Sequence, residues 1–100
     1  MTMFNPPHPG GLIAEYLEDY GVSLRSLAKD LDVSPSALSK VASGKTAISP
    51  EMALRLEAGL GIAARLWLAM QATYDLNRAR ESIDLSHVVQ SPHAHSEPAH

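Results

Sequence analysis

Ser36, Ala37, Ser39 and Lys40 stand almost side by side in the chain, and together they offer a chemistry suited to a duplex groove. Serine hydroxyls donate or accept at base edges and phosphates, an alanine methyl touches a thymine methyl, and a lysine ammonium reaches guanine or a phosphate oxygen. Arg, Asn and Gln, the side chains that discriminate bases through paired hydrogen bonds, are absent from this set. Phosphate contacts and DNA shape must therefore supply much of any selectivity. Arg25, Lys29, Lys45 and Thr46 are the surrounding candidates for phosphate contact. Ser23 and Ser34 open helices, whose N-termini favour anions, and Ser34 joins the candidate DNA-binding set.

Other chemistries lack their residues. There is no Cys/His pairing, no glycine-rich phosphate loop and no pair of carboxylates with a reason to meet, so no enzymatic activity is expected. His93, His95 and His100 have chelating side chains but lie in a terminal stretch without supporting structure, so no metal site and no cofactor are expected. His8, just before Pro9, reads as a capping or structural residue.

Positioning the four groove residues takes two short helices and a tight corner. Leu24, Leu27, Ala28 and Leu31 recur at i, i+3, i+4 and i+7, the stripe of a helix with one buried face, and Ser23 caps its start. Ser34 caps a further helix over Pro35 to Ala42, with Pro35 at the first position, where a missing N–H costs nothing. Leu38, Val41 and Ala42 face inward there, which leaves Ser36, Ala37, Ser39 and Lys40 outward. Only Asp32-Val33-Ser34 separates the pair. A corner that short makes the helices cross steeply and frees the second for a major groove, as in a helix-turn-helix.

The remaining elements frame this unit. Leu12, Ile13, Tyr16 and Leu17 form a first helix that stops at Gly21. Ser49-Pro50 repeats the cap-and-proline device and opens a fourth, with Met52, Ala53, Leu56 and Leu60 inward and Gly61 as its stop. A fifth is expected from Ala63 to Ala79, which gives an all-α, five-helix domain. That last helix carries two apolar stripes at about 100° per residue. Ala63, Leu66, Trp67, Met70 and Tyr74 form one, for the core. Leu68, Ala72, Leu76 and Ala79 form the other and are expected to pack against a second copy in a homodimer. The chain thus divides into an N-terminal arm (1–7), a helix-turn-helix domain (8–80) and a C-terminal tail (81–100). Residues 81–89 are short and weakly patterned, suited to a strand or a partner-binding arm. Residues 90–100 are too polar to fold in isolation.

The net charge of −3 is unevenly spread. Residues 23 to 55 hold Arg25, Lys29, Lys40, Lys45 and Arg55 against Asp30, Asp32 and Glu51, a net +2, whereas the rest of the chain sums to −5. A locally basic motif in an acidic protein fits a nucleic-acid contact confined to one face. The chain has no long apolar run and no cysteine, and its N-terminus lacks the basic and apolar regions of a leader. A cytoplasmic protein that does not enter a membrane is the expectation.

In combination these residues resemble a known family. His8-Pro9-Gly10 before the first helix, Ser34-Pro35-Ser36-Ala37-Leu38-Ser39 opening the third, and Gly44-Lys45 after it are three parts of the pattern. Ser49 to Leu56 in the fourth helix and Trp67-Leu68 in the fifth complete it. The pattern is similar to that of the HigA-type antitoxins, within the XRE or lambda-repressor-like class, over about residues 8 to 85. One departure is visible: Asp32 stands at the corner where many such motifs have glycine. The resemblance implies a five-helix lambda-repressor-like domain that represses from double-stranded operator DNA as a homodimer and neutralises a RelE-like, mRNA-cleaving HigB toxin. A ribonuclease is basic, which points its contacts to the acidic face of the first helix (Glu15, Glu18, Asp19) and to the segment after the fifth. A stand-alone regulator with the same DNA face, or an interaction module that no longer binds DNA, are the competing readings.

Overall fold

Serine caps and glycine or aspartate stops divide the chain into short helices. The computed structural model describes residues 5–95, so Met1 to Phe4 of the expected arm and residues 96–100 with His100 lie outside the described residues. The elements are α1 (Gly10–Tyr20), α2 (Leu24–Leu31), α3 (Pro35–Ala42), α4 (Pro50–Leu60) and α5 (Ala64–Ser82), with no strand among the described residues.

Three serines cap the middle helices. Ser23 Oγ accepts from the Ser26 amide at 3.1 Å, Ser34 Oγ from Ala37 at 3.0 Å and Ser49 Oγ from Met52 at 3.1 Å. Each such cap stabilises its helix by about 1 kcal/mol, and Pro35 and Pro50 follow their caps inside the first turn. α1 is capped from its own approach instead, since His8 Nδ1 accepts from the Gly10 amide at 2.9 Å. The corner after α2 is left-handed at Asp32, with φ 57° and ψ 45°. Aspartate tolerates that region at modest cost. Two backbone bonds close the corner, Asp32 N–H to Lys29 O at 3.1 Å and Val33 N–H to Ala28 O at 3.0 Å.

The core gathers Ile13 from α1, Leu27, Ala28 and Leu31 from α2, Leu38 and Val41 from α3, and Ile48 from the loop that follows. Met52, Ala53 and Leu56 of α4 and Trp67 of α5 complete it. α3 packs on α1 and α2, α2 on α4, and α4 on α5, so the motif is held from behind on every side but one. α1 and α3 approach closely at Gly10. A Cβ added at Gly10 would overlap the Val41 carbonyl, so only glycine permits this spacing. Trp67 is fully enclosed, and its indole N–H has no hydrogen-bond partner among the described residues.

α5 departs from the expected division into two stripes. It starts at Ala64 and runs past Ala79 to Ser82. Its core face is centred on Trp67 and Gln71, both buried, with Leu68 half-buried against the core. Leu66, expected inside, is 45% exposed. It joins Ala69, Met70 and Thr73 in a shallow apolar groove roofed by Pro6, Pro7 and Leu12. Leu68 also departs from its expected place, because the chain's own core already covers much of it; Ala72, Leu76 and Ala79 are exposed. Residues 83–95 form turns and irregular backbone and are exposed, and 83–89 build no strand.

Candidate nucleic-acid interface

With Leu38 and Val41 buried beneath it, α3 turns Ser36, Ala37, Ser39 and Lys40 to solvent. Ser36, Ala37 and Lys40 border a shallow depression with Ser34, Thr46, Ala47 and Ser49, so the outer face of α3 and the α3–α4 loop form one surface. Ser39 is exposed beside it but outside the depression. Ser34 contributes its hydroxyl to the Ala37 amide, which makes it a cap first.

The loop is fixed by the end of the helix that it extends. The Lys40 carbonyl accepts from the Lys45 amide at 2.8 Å, the Thr46 amide at 3.2 Å and Ser43 Oγ at 3.2 Å, and Gly44 takes φ 79° to make the reversal. These bonds place Lys45 and Thr46 next to Lys40. Arg25 and Lys29 are also exposed, one turn apart on the outer side of α2 and away from this depression. A surface of hydroxyls and ammonium groups on a helix rim and its adjoining loop has the chemistry to meet phosphate oxygens and base edges.

Two supporting residues escaped the sequence reading. Gln71, 5% exposed, accepts the buried Ile48 amide on Oε1 at 2.9 Å and donates from Nε2 to Asp75 Oδ1 at 3.0 Å, which ties the far end of the loop to α5. Its signal was present: a glutamine four residues after the tryptophan, in the middle of an apolar stripe, marks a buried hydrogen-bonding position. Arg55, counted above only as a positive charge, clamps the corner. Its Nη1 donates to the carbonyls of Leu31 and Asp32, both at 3.0 Å, and its Nη2 to Glu51 Oε2 at 3.0 Å. The bond to Glu51 is the main cause that raises the Arg55 pKa above its ordinary value. His8 buttresses the loop from below, edge-on to Tyr74 with ring centroids 4.9 Å apart and against Gly44.

The arrangement matches known proteins. A family model described as helix-turn-helix covers residues 13–67, and the Pseudomonas aeruginosa antitoxin HigA, solved with the higBA promoter, superposes with a TM-score of 0.73 at 31% identity over 77% of this chain and 85% of that one. The chain is a HigA-type member of the XRE helix-turn-helix family. A further P. aeruginosa structure, described as PA4674 in complex with its operator DNA, gives a TM-score of 0.77 at 28% identity over 89% of this chain and 99% of that one. The Escherichia coli K12 HTH-type transcriptional regulator YddM is 38% identical over 86 residues, 86% of this chain and 92% of that protein. In this HigA-type chain the helix-turn-helix fold is built from α1 to α5, and among the described residues no helix is long and apolar enough to cross a membrane.

Proposed function

We propose that the protein is an antitoxin that represses from operator DNA as a homodimer and neutralises a RelE-like, mRNA-cleaving HigB toxin. The observation that carries the DNA reading is the solvent-facing rim of Ser36, Ser39 and Lys40, continued by Lys45 and Thr46 and backed by buried leucine. Relatives solved with a promoter and with an operator support it. In a two-fold dimer the rims of both protomers meet successive major grooves on one side of the duplex. The exposed stripe Ala72, Leu76 and Ala79 is the surface suited to that pairing. The toxin reading rests on kinship with the antitoxin HigA and on Glu15, Glu18 and Asp19, all exposed on α1, whose charge complements a basic ribonuclease.

Footprinting on the DNA upstream of the gene tests the first half. The expectation is protection of two half-sites about one helical turn, roughly 34 Å, apart or a multiple of it. Co-expression with the product of a neighbouring gene for a small basic protein tests the second, and relief of growth arrest is expected. Protection without relief would leave a stand-alone regulator. Absence of protection would remove the DNA reading.

A further inference from the structure

Beyond α3 and its loop, a second basic depression lies on the other side of Thr46 and Ala47. It is bordered by Lys45 and Thr46 from the loop and by Tyr74, Asp75 and Arg78 from α5. Thr46 and Ala47 border both depressions, so the surface is continuous from the α3 rim, across the loop, to the second half of α5. Arg78 reaches it because it shares a helix face with Trp67, Gln71 and Tyr74, the face that α5 turns to the rest of the domain.

The guanidinium is held in place without being neutralised. Arg78 Nη1 donates to Tyr74 Oη at 3.0 Å, and its Cζ stands 5.6 Å from the centre of the same ring. Tyr74 is itself braced edge-on by His8. The ion pairs among the described residues are those of Arg55, so Arg78 has no carboxylate partner. Asp75, the one acidic group bordering the depression, is engaged by Gln71 Nε2. Lys45 and Arg78 therefore leave the depression with a net positive charge and with guanidinium donors free to meet a phosphate. An arginine pre-positioned by a neutral hydroxyl and a ring face retains both charge and fork geometry for an anion.

We propose that Arg78, with Lys45, is a second contact to the DNA backbone, outside the helix-turn-helix, gripping a phosphate beside the groove that α3 enters. This rests on the DNA-binding reading and extends its footprint to α5. A phosphate contact adds affinity and fixes docking angle but reads no base, so its loss weakens specific and random duplexes alike.

The experiment is a fluorescence-anisotropy titration of labelled duplex at a series of salt concentrations, with the intact chain, using both a duplex selected by the protein from random sequence and a random-sequence duplex. Each phosphate contact contributes about 0.9 to the slope of log K against log salt. Arg78→Gln is expected to lower that slope by about 0.9 for each Arg78 engaged, equally on both duplexes. Arg78→Lys should retain it, as should Arg80→Gln, a charge loss on the same helix outside the depression. A wild-type slope in Arg78→Gln, with or without weaker binding, overturns the proposal, as does a loss confined to the selected duplex. Failure of the wild-type chain to bind DNA in a salt-dependent manner would instead remove the DNA reading itself.

Discussion

Replacing Gln71 by methionine tests how the domain fixes its loop. Methionine keeps the length and unbranched shape of glutamine but offers only a weak acceptor. The Ile48 amide, bonded at 2.9 Å to Oε1 in a buried setting, loses its partner, while the exposed Asp75 carboxylate turns to water. An orphaned buried donor costs about 1–3 kcal/mol, and the apolar replacement recovers little of it because Gln71 already fills the space. For a domain of this size each kcal/mol moves Tm by about 4–8 °C, so the expected fall is roughly 5–20 °C. The Lys40 carbonyl still holds Lys45 and Thr46, so the helices remain and only the far end of the loop is released. Thermal unfolding followed by circular dichroism gives the first number, and amide exchange at Ile48 gives the second. A Tm within about 2 °C of wild type, well below the shift that 1 kcal/mol produces, together with an Ile48 amide still protected, would refute the reasoning.

Further outcomes follow from other contacts. Gly10→Ala drives a Cβ into the Val41 carbonyl, a backbone atom that cannot rotate away, so α1 must move off α3 at a cost of about 1–3 kcal/mol, readable as a lower urea midpoint; an unchanged midpoint would show that the two helices are not locked at this point. Ser34→Ala removes the α3 cap and should cost about 1 kcal/mol, with DNA affinity falling as the first turn frays. Leu76→Glu places a charge in the exposed α5 stripe and should yield monomers of unchanged helicity. Sedimentation that still shows the parental mass would reject that stripe as the dimer contact. Arg55→Gln should lower stability more than Arg65→Gln, because Arg55 alone holds the Leu31 and Asp32 carbonyls.

The boundaries of α2, α3 and α4 were legible because their signals are local: a serine cap, a proline in the first turn, a glycine or aspartate at the stop. The outward setting of Ser36, Ser39 and Lys40 followed from the same periodicity, since Leu38 and Val41 leave no other face for them. α5 was harder. Apolar residues are distributed round its circumference, facing the core through Trp67, the proline-roofed groove through Leu66 and Met70, and solvent through Leu76, so no single stripe dominates. Its division among these surfaces depends on where the arm at Pro6 and Pro7 lies, which no local pattern encodes. The loop's anchorage was hidden for the same reason: Gln71 lies 23 residues beyond Ile48, and only the fold brings them together.

The central claim is that the exposed rim of α3 enters a DNA groove. Binding of Lys40→Glu to the selected duplex, followed by anisotropy at low salt beside the wild-type chain, tests it most directly, because Lys40 is exposed and its reversal disturbs no buried contact. The account predicts loss of binding with an unchanged circular dichroism spectrum and unchanged sedimentation. Wild-type affinity in that variant would contradict it.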